Sequence, residues 1–389
     1  MKLKIGDYID INRKEITDMA DYIFDNPETG GNEYKASEML TDYLGRNGFI
    51  INKGIAGLET AFKAVHENGI GGPSIGLLCE YDALEGIGHA CGHHMQGPAI
   101  VYAASAIKEM MKESNYRLVI YGTPAEETFG GKLNMLKYGC FQDIDVALMM
   151  HAGPTTTTDI RSLAMDRFLV EFKGISSHAA LKAEDGRSAL DGILMLANGI
   201  EYLREHVRDD VRIHYSIING GGPPNVVPKY ASAEFVLRSY NREYLDTVVE
   251  RFKKIVKGAA LMTETECELT IKKTLDNKVP VIGLNDLLID NAKEFDAPCI
   301  RPPREKTGST DFGNVMHVMP GSCIRVAFVP EGTSSHSEEY IKAGKTEKAH
   351  DATVLASKIL AGSVTDMIIK PELLAEFKRE FEINKGQKS

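Results

Sequence analysis

Ile75-Gly76-Leu77-Leu78-Cys79, then Gly88-His89-Ala90-Cys91-Gly92-His93-His94, then an apolar segment from Pro98 to Lys112, then Arg117-Leu118-Val119-Ile120-Tyr121: this stretch decides the fold. The two short apolar runs read as buried strands and the segment between them as a helix. Working outward, Val146-Ala147-Leu148-Met149-Met150 and Ile324-Arg325-Val326-Ala327-Phe328-Val329 are strand-like runs of the same kind. A second helical stretch lies around Lys132 to Tyr138. Strand and helix alternate, which predicts an α/β sheet with parallel neighbours.

Upstream, apolar residues recur at three- and four-residue spacing between Ile9 and Phe49, interrupted by Asn26-Pro27-Glu28-Thr29-Gly30-Gly31. This predicts two amphipathic helices joined by a turn. The middle of the chain reads differently. Strand-like runs at 168–172, 212–217, 233–237 and 268–271 alternate with two long amphipathic helices over about 188–207 and 242–262. The order βαββαβ predicts a self-contained α+β module of ferredoxin-like topology. Elements of the first kind resume afterwards, over 284–295, 324–329 and 347–369. The module is therefore expected as an insertion, 163–277, within a domain formed by 1–162 and 278–389. The charged residues Glu382 to Ser389 are expected to fray.

The chain has 389 residues, 45 Lys and Arg against 55 Asp and Glu, six Cys and no Trp. At roughly 150 residues per domain, two or three domains are expected. The longest uncharged apolar stretch, Pro98 to Ile107, is about half of the roughly 20 residues a membrane span requires. Met1-Lys2-Leu3-Lys4 leads into polar sequence with no apolar export segment, and a cytoplasmic location is the expectation. The scattered cysteines argue for free thiols. An acidic chain without a basic block excludes general attraction to nucleic acid, which leaves small molecules as partners.

Four apolar runs end in residues that bind metals or move protons. Ile75–Cys79 leads to Cys91, His93 and His94; Leu118–Tyr121 leads to Glu126 and Glu127; Val146–Met150 leads to His151; Val326–Val329 leads to His336. In an open α/β sheet the carboxyl ends of the strands share one edge, where ligands bind. Imidazole nitrogen, thiolate sulfur and carboxylate oxygen are the donors Zn²⁺ takes. Cys91, His93, Glu127, His151 and His336 offer five such donors, enough for two ions or for one with spares. Glu126, in a Pro-led turn, is the natural base: it could take a proton from a metal-activated water and pass it to a leaving amine. Each piece alone also has a plain reading, as core packing for Cys91-x-His93 and His151 or as a solvated surface for Glu126-Glu127 and His336.

The strings GHACGHH, GTPAEE, HAGP, GISSHAA, NVVP, GSTDFGNV and SHSEEY, in this order, resemble the M20 metallopeptidase and amidohydrolase family, with the aminoacylase-type, aminobenzoyl-glutamate hydrolase-like branch the nearest in pattern. The resemblance spans nearly the whole chain. It implies a zinc-peptidase-like catalytic domain, with a mixed sheet flanked by helices, and an inserted lid that often dimerises. The activity implied is cleavage of N-acyl amino acids or short peptides. It implies one or two zinc ions, with manganese or cobalt as substitutes, held by Cys91, His93, Glu127, His151 and His336, and Glu126 as general base. His178 matches a histidine that polarises the scissile carbonyl. Asn225 and Arg238 match positions that hold the substrate, and Gly308 and Ser309 a loop lining the pocket.

Two positions depart from the family pattern. His94 stands where relatives carry Asp or Asn, which leaves it open as a ligand, a partner of a ligand or a pocket residue, and leaves the second metal open with it. Thr128-Phe129 replaces glycine after the glutamate pair, which predicts a less roomy pocket. The alternatives are a degenerate relative that binds an acylated molecule without turnover, a dipeptidase or arylamine hydrolase of the same fold, and a thiol enzyme using Cys91 with His93 or His94.

Overall fold

The computed structural model of the protein describes residues 1–386 and divides the chain into two compact units. Among the described residues, one comprises Met1–Arg161 and 278–386, and the other comprises Ser162–Asn277.

The first unit begins with three helices, α1 (Lys2–Ile11), α2 (Arg13–Asp25) and α3 (Tyr34–Arg46). Strands β1 (Ile50–Lys53), β2 (Phe62–Asn68) and β3 (Ser74–Cys79) follow, then α4 (Gln96–Met110), β4 (Tyr116–Gly122), α5 (Gly131–Lys137) and β5 (Val146–Gly153). The second unit runs β6 (Ala164–Lys173), α6 (Ala189–Arg204), β7 (Arg212–Asn219), β8 (Tyr230–Ser239), α7 (Arg242–Thr263) and β9 (Glu266–Leu275). The first unit then resumes with α8 (Ile282–Glu294), α9 (Phe312–Val318), β10 (Gly321–Ala327), α10 (Glu338–Ala343), α11 (Glu347–Ile369) and α12 (Glu372–Gly386).

The six strands of the first unit form one sheet in the order β1-β2-β4-β3-β5-β10. β4, β3, β5 and β10 are mutually parallel, and β1 and β2 extend the sheet as an antiparallel edge. The parallel strands are covered on both faces, which explains why they read as unbroken apolar runs. Leu77, Leu118, Ile120, Leu148 and Ile324 face a core shared with α4 and α11; Leu78, Val119, Ala147 and Met149 face a second core with Met135 of α5 and Phe312 of α9. This is the side-to-side alternation of a strand. α11 is long and apolar enough to cross a bilayer by composition, yet Ala356, Ile359, Leu360 and Val364 are buried in the first core. Residues 382–386 continue helix α12 past buried Phe381 instead of fraying; the remainder of that expected frayed stretch, 387–389, lies outside the described residues.

The second unit is a four-stranded antiparallel sheet, β7-β8-β6-β9, with α6 and α7 packed on it around Phe168, Phe172, Ile193, Phe235 and Phe252. Its edge strand β7 is exposed except for Ile213. All six cysteines of the chain are free.

Candidate metal centre

Side chains from four neighbouring strand ends gather at the carboxyl edge of the large sheet. β3 hands over to Glu80 and Asp82 and then to a turn whose Gly92 has φ +85°; a Cβ there would come within 2.6 Å of the Ala152 side chain, so only glycine lets the Cys91–His93 turn sit against β5. β4 leads to Glu126 and Glu127, β5 carries His151, and the loop after β10 carries His336. Ala125 and His336 are held in the left-handed region, at φ 63° and 62°. Non-glycine residues sit there only when the surroundings hold them, and such positions cluster at functional sites. For His336 one restraint is visible: its N–H donates to the Ala90 carbonyl at 2.9 Å, tying the loop to the Cys91 turn.

The donor atoms of Cys91, His93 and His151 lie within 4.8 Å of one another, as do those of Cys91, Glu127 and His336, and those of His93, Glu126 and Glu127. Cys91 Sγ is 3.6 Å from His151 Nε2, and His336 Nε2 is 3.2 Å from Glu127 Oε1. The structure thus brings Cys91, His93, Glu126, Glu127, His151 and His336 together, and all of these but the buried His93 line a cavity of about 380 Å³, which Gly308 and Ser309 also line.

This donor set fits a divalent cation. His93 Nε2 and Glu127 Oε1 are buried and make no hydrogen bond, although polar atoms that lose water normally do; each has only an ion-pair contact, with Glu80 Oε2 at 3.3 Å and with His336 Nε2 at 3.2 Å. Sulfur, imidazole and carboxylate donors match zinc chemistry. The supporting contacts are those of metal sites, where the second ring nitrogen of a ligating histidine is fixed by a carboxylate or carbonyl. His93 Nδ1 lies 3.0 Å from the Asp82 carbonyl oxygen and 3.1 Å from Asp82 Oδ1. His151 Nδ1 is 2.7 Å from the Ala152 carbonyl.

Electrostatics around the centre follow from burial and crowding. Desolvation, reinforced by the carboxylates of Glu80, Asp311 and Glu127, pushes the Glu126 carboxyl up to about 8. Burial pushes the Cys91 thiol up to about 12, so without a cation it is no thiolate, and a nucleophilic thiol needs one. Beside them Lys132, completely buried, donates to Glu80 at 2.6 Å and to Asp311 at 2.7 Å. Burial opposes charge on both partners, yet the pairing keeps Lys132 protonated and holds Glu80 well below the usual carboxylate range.

Asp82, Glu80, Lys132 and Asp311 are functional neighbours that motif reasoning misses. Glu80 and Asp82 follow directly on strand β3, and that position is the signal that could find them. Lys132 offers none, since its partners lie 52 and 179 residues away.

His94 is not drawn into the donor groups. Its Nε2 lies 2.9 Å from the Gly344 carbonyl oxygen, and its ring packs edge-on against Phe24 at 4.8 Å. Thr128 and Phe129 are not among the residues lining the cavity; the exposed Phe129 ring lies beside Gly31 instead. His178, Asn225 and Arg238 belong to the second unit. There exposed His178 bridges to Val226, the Asn225 carbonyl accepts the Ala179 N–H at 3.0 Å, and Arg238 is half-buried in β8.

Comparison with known proteins agrees with this geometry. Residues 75–358 match Peptidase family M20/M25/M40. The chain is 30% identical to a subunit of the p-aminobenzoyl-glutamate hydrolase of Escherichia coli (strain K12), over 97% of this chain and 94% of that protein. It is 29% identical to the Xaa-Arg dipeptidase of Homo sapiens, over 98% and 92%. A Bacillus subtilis structure described as a dinuclear metal binding peptidase from the M20 family superposes with a TM-score of 0.70 at 17% identity, over 92% of this chain and 99% of that one. The chain belongs to Peptidase family M20/M25/M40 and is a metal-dependent hydrolase of that family.

Proposed function

We propose that this M20 family member hydrolyses the amide bond of N-acyl amino acids or short peptides, with Cys91, His93, Glu127, His151 and His336 holding the metal and Glu126 as the general base. The observation that carries the reading is the convergence of these six side chains, from four strand ends, with five of them on the wall of one cavity. The names of the relatives, an acyl-glutamate hydrolase and a dipeptidase, point to the same bond type.

A bound divalent cation supplies Lewis acidity to a carbonyl oxygen and lowers the pKa of an associated water toward about 7. The remaining work falls to the chain. Glu126, its carboxyl already raised in proton affinity, takes a proton from the attacking water and returns it to the amide nitrogen as the C–N bond breaks. Asp82 holds the His93 ring, and the Ala152 carbonyl that of His151. Gly308 and Ser309 contribute to the pocket wall. For the second unit we retain the roles its motifs suggest: His178 on the scissile carbonyl oxygen, Asn225 and Arg238 on the substrate, and exposed strand β7 as a pairing edge for a homodimer. Zinc is the proposed metal and the cytoplasm the proposed location.

The test is a panel of N-acyl amino acids and dipeptides offered to zinc-loaded protein and to Glu126→Gln. Turnover by the first and its loss in the second, with metal content equal, is the expected result. Ligand binding without product in the native protein would favour a non-catalytic relative.

A further inference from the structure

The cavity that holds the candidate metal centre is also lined by Lys278, Arg304 and Arg325. All three converge on one carboxylate. Lys278 Nζ and Arg304 Nε each lie 2.7 Å from Asp159, and Arg325 Nε lies 3.4 Å away. Around that carboxylate the cations outnumber the anion. Like charges gathered in a partly buried site cost the fold stability, so fold support alone does not explain them.

The positive charge faces the reaction site. Arg325 Nη1 is 3.2 Å from His151 Nδ1, which places the guanidinium directly behind a proposed ligand. Arg304 is the most open of the three, with 37% of its side chain exposed; it commits Nε to Asp159 and, among the described residues, neither Nη to a protein acceptor. A guanidinium anchored through Nε presents the planar pair of donors that binds a carboxylate at two points. Thr307, Ser309 and Thr310 line the same wall, and the Thr310 hydroxyl, which accepts the Phe312 N–H, can donate its own proton to such a contact.

Resting on the amidohydrolase reading, we propose that this cationic wall is a specificity subsite for a side-chain carboxylate, with Arg304 meeting it directly. The preferred substrates are then N-acyl derivatives of acidic amino acids, and basic amino acids are disfavoured. Arg325 and Lys278, more deeply buried, raise the local potential and keep Asp159 ionised, well below the usual carboxylate range.

The experiment compares N-acetyl-glutamate with its neutral isostere N-acetyl-glutamine, in hydrolysis by the metal-loaded protein and in equilibrium binding to metal-loaded Glu126→Gln. A charge-assisted contact of this kind gives a preference for glutamate on the order of 10- to 100-fold in kcat/KM and in Kd. Arg304→Gln brings both ratios toward one and Arg304→Glu inverts them. Arg301→Gln, which removes a guanidinium that pairs with Glu331 and does not line the cavity, leaves them unchanged.

Equal handling of the two compounds by the native protein, or a preference that survives Arg304→Gln, overturns the subsite. So does an Arg304 effect confined to the α-carboxylate, seen with N-acetyl-glutamine against its α-amide. If nothing is hydrolysed but Glu126→Gln still binds N-acetyl-glutamate more tightly in an Arg304-dependent way, the subsite stands and the hydrolase reading falls. Binding of neither compound overturns the subsite.

Discussion

Asp82 joins two of the proposed metal ligands: Oδ1 lies 3.1 Å from Nδ1 of His93, and Oδ2 accepts the backbone N–H of Glu127 at 2.9 Å. One carboxylate thereby fixes the ring of the first ligand and the backbone of the second. Its removal should cost roughly 10- to 100-fold in metal affinity. Asp82→Ala, titrated with zinc against a competing chelator, is expected to show this loss while remaining folded. An unchanged affinity would remove Asp82 from any part in the centre.

Lys132 is the counter-charge for the buried carboxylates beside the centre. Lys132→Met strands Glu80 and Asp311 without their cation, and breaking a buried pair from one side costs about 3–5 kcal/mol. Thermal unfolding of the metal-free variant is expected at a clearly lower temperature. The triple change Lys132→Met, Glu80→Gln, Asp311→Asn should recover part of the loss, because no uncompensated charge is left. Equal stability of Lys132→Met and the native chain would show that the ion pairs are not as buried as described.

His94 is assigned to packing. His94→Ala gives up the contact with the Gly344 carbonyl and the edge-on contact with Phe24, a loss of about 1–3 kcal/mol for a buried hydrogen-bonding group. Metal stoichiometry should not change. A fall in the number of ions bound per chain would make His94 a ligand after all.

In the metal-free protein the Glu126 carboxyl, raised from its ordinary 4.5 to about 8 by burial and by neighbouring carboxylates, binds its proton more tightly when folded than when unfolded. Its contribution to stability is therefore fully present below about pH 4.5 and is lost as pH rises through about 8. The difference in unfolding free energy between the native chain and Glu126→Gln should decline across that window and be flat on either side. A difference that grew with pH would mean the carboxyl is stabilised as an anion.

Much of this is legible in the sequence for an identifiable reason. The parallel strands are buried on both faces, so they stand out as apolar runs, and proposed ligands follow β3, β4 and β10 and sit near the end of β5. α11 begins and ends where its apolar pattern does, at 347 and 369. Strands β1 and β2 are hard to read, because Ile50-Ile51-Asn52-Lys53 is mostly exposed and β2 mixes Lys63, His66 and Glu67 into its run. α1 escapes notice because three of its ten residues are buried, too few to give a strong period. The contacts that tune the centre are beyond the reach of pattern. Lys132 reads as a surface lysine of a short helix, and only the folded chain brings Glu80 and Asp311 to it. The Asp159 cluster is of the same kind, since Lys278, Arg304 and Arg325 come from three separate stretches.

The most direct measurement is anomalous diffraction from crystals of the zinc-loaded protein, collected at the zinc edge. The account predicts a peak within bonding distance of Cys91 Sγ and of imidazole nitrogens from His93, His151 or His336. A map with no such peak, or with zinc held only by other residues, would contradict it.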